Sequence, residues 1–257
     1  MVICCGAAAA EAGALSAAEA PELSVVVLCY RAGRGAVDLA AQLCDELEQA
    51  EIDYELILVA NYDREGRDPT PQLVSGFAAG HPRARAIARV KEGMMGWDMR
   101  SGLDAARGDH IAVIDGDGQM PTSDIVKVYR LLQIGGYDLV KTFRAQRLDG
   151  LYRATISGLY NLLFRLLFPG AAKFRDINSK PKVMTRAAYE SMDLVSNDWF
   201  TDAEIMIEAI RNRLSVGEVS TIFLSNERRA TFVPVSAIWE FLGNLIAYRL
   251  RLWRRTR

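Results

Sequence analysis

The sequence predicts an α/β fold organised around a mostly parallel sheet, and three observations carry that prediction. Residues 23–30 (LSVVVLCY) and 54–60 (YELILVA) are short, continuous apolar runs rich in β-branched residues, the pattern of strands buried on both faces. Segments with helically spaced apolar residues separate such runs, and strand–helix–strand alternation implies parallel βαβ units with right-handed crossovers. The length, 257 residues, and the composition, 50% hydrophobic and 25% charged, suit one large α/β domain or two small ones.

Taken in order, the 23–30 strand is followed by a helix over 36–50, where Val37, Ala40, Ala41, Leu43, Cys44 and Leu47 form one apolar stripe. After the 54–60 strand, Thr70 is read as a helix cap with Pro71 at the first helical position. A weaker strand over 85–90, a helix over 96–107 and a strong strand over 110–115 (HIAVID) complete the next unit. A helix over 122–135 and a strand over 137–143 follow. Beyond them the pattern is less regular, with helices near 151–168, 185–191 and 201–213, a strand at 183–184 and another near 216–223. We expect a disordered alanine-rich extension over 1–20, one domain over 21–225 and a basic amphipathic helix over 226–257.

Composition and charge exclude several functions. A formal net charge of −1 lacks the broad basicity of a nucleic-acid binder. Four cysteines without paired spacing read as reduced thiols in a cytosolic setting, and two histidines (His81 before Pro82, His110 opening a strand) leave little material for histidine chemistry. The first twenty residues lack the basic start and unbroken apolar stretch of a secretory signal. No run approaches the roughly 18–20 apolar residues of a membrane span. The charge is nonetheless uneven: between residues 228 and 257 there are seven arginines against Glu240 alone, with Ile238, Phe241, Leu242, Leu245, Ile246, Leu252 and Trp253 at helical spacing. That combination suits an anionic membrane surface, and also a core-packed helix with a solvated basic end.

In open parallel sheets the ligand sits beyond the carboxyl ends of the strands, so residues 30–35, 61–68 and 115–121 are the ones to weigh. Gly33, Gly35 and Asp38 make only a partial dinucleotide fingerprint, because Asp38 stands where close helix packing wants Gly or Ala. The sharpest feature is Asp115-Gly116-Asp117-Gly118-Gln119. Two carboxylates one residue apart at the end of a buried strand concentrate charge that Mg²⁺ or Mn²⁺ would make tolerable. Met120 and Val126 stand where an EF-hand needs Gly and Glu, so that loop is excluded, while a plain acidic turn stays open.

SVVVLCY, YELILVA and GLDAARGDHIAVIDGDGQMP together resemble the nucleotide-sugar-dependent glycosyltransferases of family 2, most nearly the dolichyl-phosphate mannose synthase group, from about Leu23 to the C-terminus. The resemblance implies a GT-A fold with helices on both faces of the sheet, and Asp115, Asp117 and Gln119 holding the divalent ion and the donor diphosphate. It implies that Tyr30 and Asn61 meet the nucleoside of a UDP- or GDP-linked sugar, although the family's Pro-x-Tyr-Asn-Glu and paired Asp are replaced here by Leu28, Tyr30, Arg31, Ala32 and by Ala60, Asn61. It further implies a polyprenyl phosphate acceptor met by Arg147, Arg153 and Lys180, with the apolar helix around Tyr152, Ile156, Leu159, Tyr160, Leu163, Leu166 and Leu167 resting on a membrane. Asp176 would position donor or acceptor groups, Asp202 would orient the acceptor or act as base, and Arg228 and Arg229 would close over the diphosphate. Each also has a bland reading. Asp176 suits a turn, Arg228 and Arg229 a solvated loop, and the helix a core; Thr201 and Glu204 suit a capping box beside Asp202. The expectation is an inverting transferase, peripheral on the cytoplasmic face of a membrane, with or without a partner protein that anchors it. A family 2 transferase with a hydroxyl acceptor and a non-catalytic nucleotide-sugar binder are the alternatives.

Overall fold

The structure is a computed structural model that describes residues 20–147, 151–224 and 243–250, without the side chains at 146–147, 151–154 and 156. In chain order the elements are β1 (Leu23–Leu28), α1 (Arg34–Gln49), β2 (Tyr54–Val59), α2 (Thr70–Ala79), β3 (Ala84–Ile87), α3 (Met95–Leu103), β4 (His110–Asp115), α4 (Ser123–Gly135) and β5 (Leu139–Arg147). Then come α5 (Leu151–Leu167), a 3-10 turn (Pro169–Lys173), β6 (Lys182–Thr185), α6 (Arg186–Glu190), α7 (Thr201–Arg211) and β7 (Val216–Phe223). Residues 243–250 form a helix, α8.

The strands make a seven-stranded sheet in the order β3-β2-β1-β4-β6-β5-β7. β1, β2, β3 and β4 are parallel, as are β5 and β7, while β6 runs antiparallel to both β4 and β5. Two cores explain why the strands read as unbroken apolar runs. Val25 and Val27 of β1 point into a core with Leu43 of α1 and Ile125 of α4, while Val26 and Leu28 point to the opposite core with Met99 of α3 and Phe164 of α5. Each side chain of a doubly covered strand is thus removed from water, whichever way it points.

Three local expectations need correction. Thr70 is the first residue of α2 and Pro69 its cap; the Thr70 hydroxyl instead accepts the Gly33 N–H at 2.8 Å and donates to Asp68 at 2.5 Å. The helix expected over 96–107 stops at Leu103, because the backbone N–H groups of Arg107 and Gly108 turn to Ser24 and the buried Glu55. The expected capping box at Thr201 does not form: the Glu204 carboxylate accepts the N–H groups of Val195 and Ser196, and the Thr201 hydroxyl donates to the Ser196 carbonyl. Glu204 ties α7 to the preceding loop, a structural use in either case.

The extension expected over 1–20 lies outside the described residues apart from Ala20, and the helix expected over 226–257 is described only at 243–250. There Leu245 and Tyr248 are buried against the core, with the Tyr248 hydroxyl donating to Glu208 at 2.7 Å, while Ile246 and Leu250 face outward. Among the described residues, no helix is long and apolar enough to cross a membrane.

Candidate active site

β4 carries Asp115 to the carboxyl edge of the sheet, and the loop after it is tightly specified. Gly116 donates its N–H to the Leu28 carbonyl at 2.9 Å, so close that a Cβ on Gly116 would stand 2.9 Å from that oxygen. Gly118 has φ +72°, a conformation open to glycine at little cost. Asp117 accepts the Gln119 N–H through Oδ1 at 3.0 Å, an Asx turn that fixes its carboxylate. Gln119 is tied to the end of β7 twice: its Nε2 donates to the Leu224 carbonyl at 3.2 Å, and the Leu224 N–H donates to its carbonyl at 2.9 Å.

Two carboxylates and one amide oxygen are what this loop can offer a metal. Among the described residues no group of three or more His, Cys, Asp and Glu side chains gathers to hold an ion. The donor set fits Mg²⁺ or Mn²⁺ working with a substrate, since Mg²⁺ is commonly held by one or two carboxylates with the remaining positions taken by phosphates and water.

Behind Asp115 lies a buried chain of alternating charge. Lys180, only 4% exposed, sits 3.3 Å from Asp115 and 2.6 Å from Asp202. Asp202, at the start of α7, also takes Lys182 of β6 at 2.5 Å, and Lys182 donates to the Ser179 carbonyl. Burial alone would raise the Asp202 pKa, but the two ammonium groups overcome it and hold the carboxyl below its usual range. Burial likewise pushes Lys182 down to about 8, against the pull of Asp202. Burial opposes the charge of Lys180 too, but Asp115 and Asp202 outweigh it and raise that pKa. Lys180, expected at an acceptor phosphate, is therefore committed to two carboxylates inside the protein.

Asp176 is also inward. It forms a bidentate pair with Arg144, at 2.6 and 2.8 Å, and its carbonyl accepts from the buried Lys141. Burial acts to raise its pKa, and the Arg144 bonds and charge reverse this, holding it down to about 2. A carboxyl whose folded pKa lies below its unfolded value stabilises the fold above the unfolded pKa, and that contribution disappears as pH falls through the folded one. We expect roughly 2 kcal/mol of stability from this pair at neutral pH, lost between about pH 4 and 2; acid titration followed by circular dichroism should show Arg144→Met less stable than the parent by at least that share at neutral pH and without the parent's loss between about pH 4 and 2.

At the ends of β1 and β2, Tyr30 donates to Asp63 at 2.6 Å and Arg31 pairs with Asp63 at 2.8 Å, while the Lys91 ammonium lies 4.1 Å from the Tyr30 ring centroid. Burial and the Asp63 carboxylate push the Tyr30 hydroxyl up to about 12. Asn61, expected to face a nucleoside, is fully buried and occupied: its Nδ2 donates to Asp98 at 2.9 Å, and its Oδ1 accepts the Arg89 N–H at 3.0 Å. Asp98 in turn holds Lys91. Asn61 thus organises the wall on which Tyr30 and Asp63 are the more open groups. Asp63 lies inside the post-strand segment that the sequence singles out, two residues past Asn61, so position could have found it. Lys182 gave no such signal.

Arg147 ends β5 and Arg153 lies in the first turn of α5, but their side chains are outside the described residues, as are Arg228 and Arg229 altogether.

The acidic loop thus stands at a strand end and is tied to the far edge of the sheet, and sequence comparison decides the family: the Glycosyl transferase family 2 profile matches residues 24–192. The chain belongs to glycosyltransferase family 2. Undecaprenyl-phosphate 4-deoxy-4-formamido-L-arabinose transferases from Yersinia pestis (strain Pestoides F) and Yersinia pseudotuberculosis serotype O:3 (strain YPIII) are each 32% identical to this family 2 chain over 131 residues. That match spans 50% of the chain but 38% of each relative. Glucosyl-3-phosphoglycerate synthase from Mycobacterium tuberculosis in complex with UDP superposes with a TM-score of 0.68 at 18% identity, over 90% of this chain and 79% of that one. The same enzyme with Mn²⁺, UDP and glucosyl-3-phosphoglycerate gives 0.69 at 17% identity, over 89% and 80%. At such identities the likeness establishes the GT-A fold of this family 2 glycosyltransferase.

Proposed function

We propose that this family 2 glycosyltransferase moves a sugar from a UDP- or GDP-linked donor to a polyprenyl phosphate, with inversion at the anomeric carbon. The observation that carries the acceptor class is the state of Asp202. A hydroxyl acceptor needs a base to take its proton, and the carboxylate best placed in sequence for that work is buried between two ammonium groups, its pKa held low. A phosphate monoester is largely ionised at neutral pH and needs no such base. The undecaprenyl-phosphate transferases among the relatives support the same acceptor.

In the proposed reaction an acceptor phosphate oxygen attacks the anomeric carbon, the bond to the donor's diphosphate breaks on the opposite face, and the nucleoside diphosphate departs with the electron pair. Asp115, Asp117 and Gln119 would hold Mg²⁺ or Mn²⁺, which supplies neutralisation of the departing charge. Tyr30 and Asp63 would flank the nucleoside, with Asn61 fixing the wall behind them. Arg147 and Arg153, at the β5–α5 connection, would meet the acceptor phosphate, and Arg228 and Arg229 the donor diphosphate. Asp176, through Arg144, would hold the segment leading to Lys180. The rest of catalysis is positioning in a cleft with little water.

The test is a panel of UDP- and GDP-sugars with Mn²⁺, offered undecaprenyl phosphate, undecaprenol or a free sugar. Transfer to the phosphate and not to the two hydroxyl acceptors is the expected outcome. Transfer to a hydroxyl would overturn the acceptor class, and neither transfer nor donor hydrolysis across the panel would favour a binding protein.

We place the protein at a membrane surface, on the cytoplasmic side. Leu159, Leu162 and Leu166 stand exposed on one face of α5, opposite the buried Phe164, and Ile246 and Leu250 do so on α8. Such faces with an arginine-rich end favour an anionic interface, with or without an anchoring partner protein. Co-sedimentation with vesicles containing anionic phospholipid should fall at least about fivefold in Leu159→Asp/Leu162→Asp/Leu166→Asp, which introduces three charges where each buried leucine contributes about 1.5–3 kcal/mol.

A further inference from the structure

Lys180 has a role that neither an acceptor site nor a packed core requires of it. Its Nζ stands 3.3 Å from both carboxylate oxygens of Asp115, and the same nitrogen binds Asp202 at 2.6 Å. Asp202 does not need Lys180 for compensation, since Lys182 already pairs with it. Lys180 is thus left to reach Asp115 as well, and Asp115 is the carboxylate that would share a metal ion with Asp117. From Asp115 through Lys180 and Asp202 to Lys182 the charges alternate, so one of the loop's two carboxylates already faces a cation of the protein itself.

We infer that Lys180 is a built-in cation that competes with the divalent ion for Asp115, so that the free protein binds metal weakly and metal enters together with the donor's diphosphate. This rests on the reading of Asp115 and Asp117 as metal ligands. Two cations sharing one carboxylate repel one another, and a resident ammonium is already at its hydrogen-bond partner when the ion arrives. A nucleoside diphosphate changes the balance by adding anionic oxygens on the solvent side, where Lys180 does not reach. Donor and metal would then raise one another's affinity by the same factor, as linkage demands.

The experiment is a Mn²⁺ titration followed by the electron paramagnetic resonance signal of free Mn²⁺, without nucleotide and then with saturating UDP or GDP. Lys180→Met and Lys180→Gln are compared with the parent. Lys180→Gln keeps a hydrogen-bond donor for Asp202 and leaves exposed only the charge of Asp115, which already touches solvent; circular dichroism melts confirm that each variant is folded. The parent should bind Mn²⁺ weakly alone and at least about tenfold more tightly with nucleotide, whereas a folded variant should bind Mn²⁺ alone about tenfold more tightly than the parent, with the nucleotide effect reduced accordingly. Variants that bind Mn²⁺ alone no better than the parent overturn the inference while leaving the metal site standing. Failure of every protein to bind Mn²⁺ even with nucleotide overturns the metal site and the inference with it.

Discussion

Asp202→Ala should lose about 3–5 kcal/mol of stability, because it strips a buried ion pair of one member and leaves the other without its counter-charge. Lys182 is fully buried, and its remaining contact is the Ser179 carbonyl. For a domain of this size the loss corresponds to a melting temperature about 10 °C lower, or to a chain that does not accumulate folded. The stranded charge is the cause, so Asp202→Leu combined with Lys182→Met should recover most of the loss, while Lys182→Met alone should not be additive with it. A melting temperature of Asp202→Ala within about 2 °C of the parent would show that the two lysines are compensated some other way. The same burial makes Asp202 an unsound place to look for a base by mutation: lost activity in Asp202→Asn would report the fold before it reported a proton, which is why the acceptor panel carries that question.

The second large effect is expected at the acidic loop. Asp117→Asn and Asp115→Asn should each lower sugar transfer by about 10³-fold, on the order of 4 kcal/mol of transition-state stabilisation, with donor hydrolysis falling in parallel. Asp117 sits in a turn, Asp115 is partly open to solvent, and Lys180 keeps its shorter pair with Asp202 when Asp115 is neutral, so melting temperatures should stay near the parent's. Separating the two readouts matters. A variant that is folded and inert places the loss in the chemistry, and one that is folded and fully active removes these carboxylates from it.

The parts of the fold that were legible are those where a single physical rule dominates. β1, β2 and β4 are covered on both faces, so their sequences carry no alternation and read at once as buried parallel strands. The acidic loop was legible because two carboxylates and two glycines after such a strand have few structural uses. What escaped depends on contacts across the sequence. The reversed direction of β6 follows from its place between β4 and β5, which four residues cannot announce. Lys182 is a charged residue at the start of a strand, a position that ordinarily suggests exposure, and its burial is made tolerable by Asp202, which arrives on α7 twenty positions later. Asn61 was rightly placed at the end of β2, but its amide is consumed by Asp98 and the Arg89 backbone, partners that only the folded α3 and β3 regions bring near. Thr201 and Glu204 have the spacing of a cap, and the preceding loop outcompetes the helix terminus for both side chains.

The proposed reaction depends most on one claim, that the carboxylates of Asp115 and Asp117 would bind the donor's diphosphate through a shared dication. Calorimetric titration of nucleoside diphosphate into the parent and into Asp115→Asn/Asp117→Asn, each with Mn²⁺ and with EDTA, asks this directly. The parent should bind at least about tenfold more tightly with Mn²⁺ than with EDTA, and the double variant equally weakly in both. A double variant that keeps the full Mn²⁺ enhancement would contradict a dication held by these carboxylates.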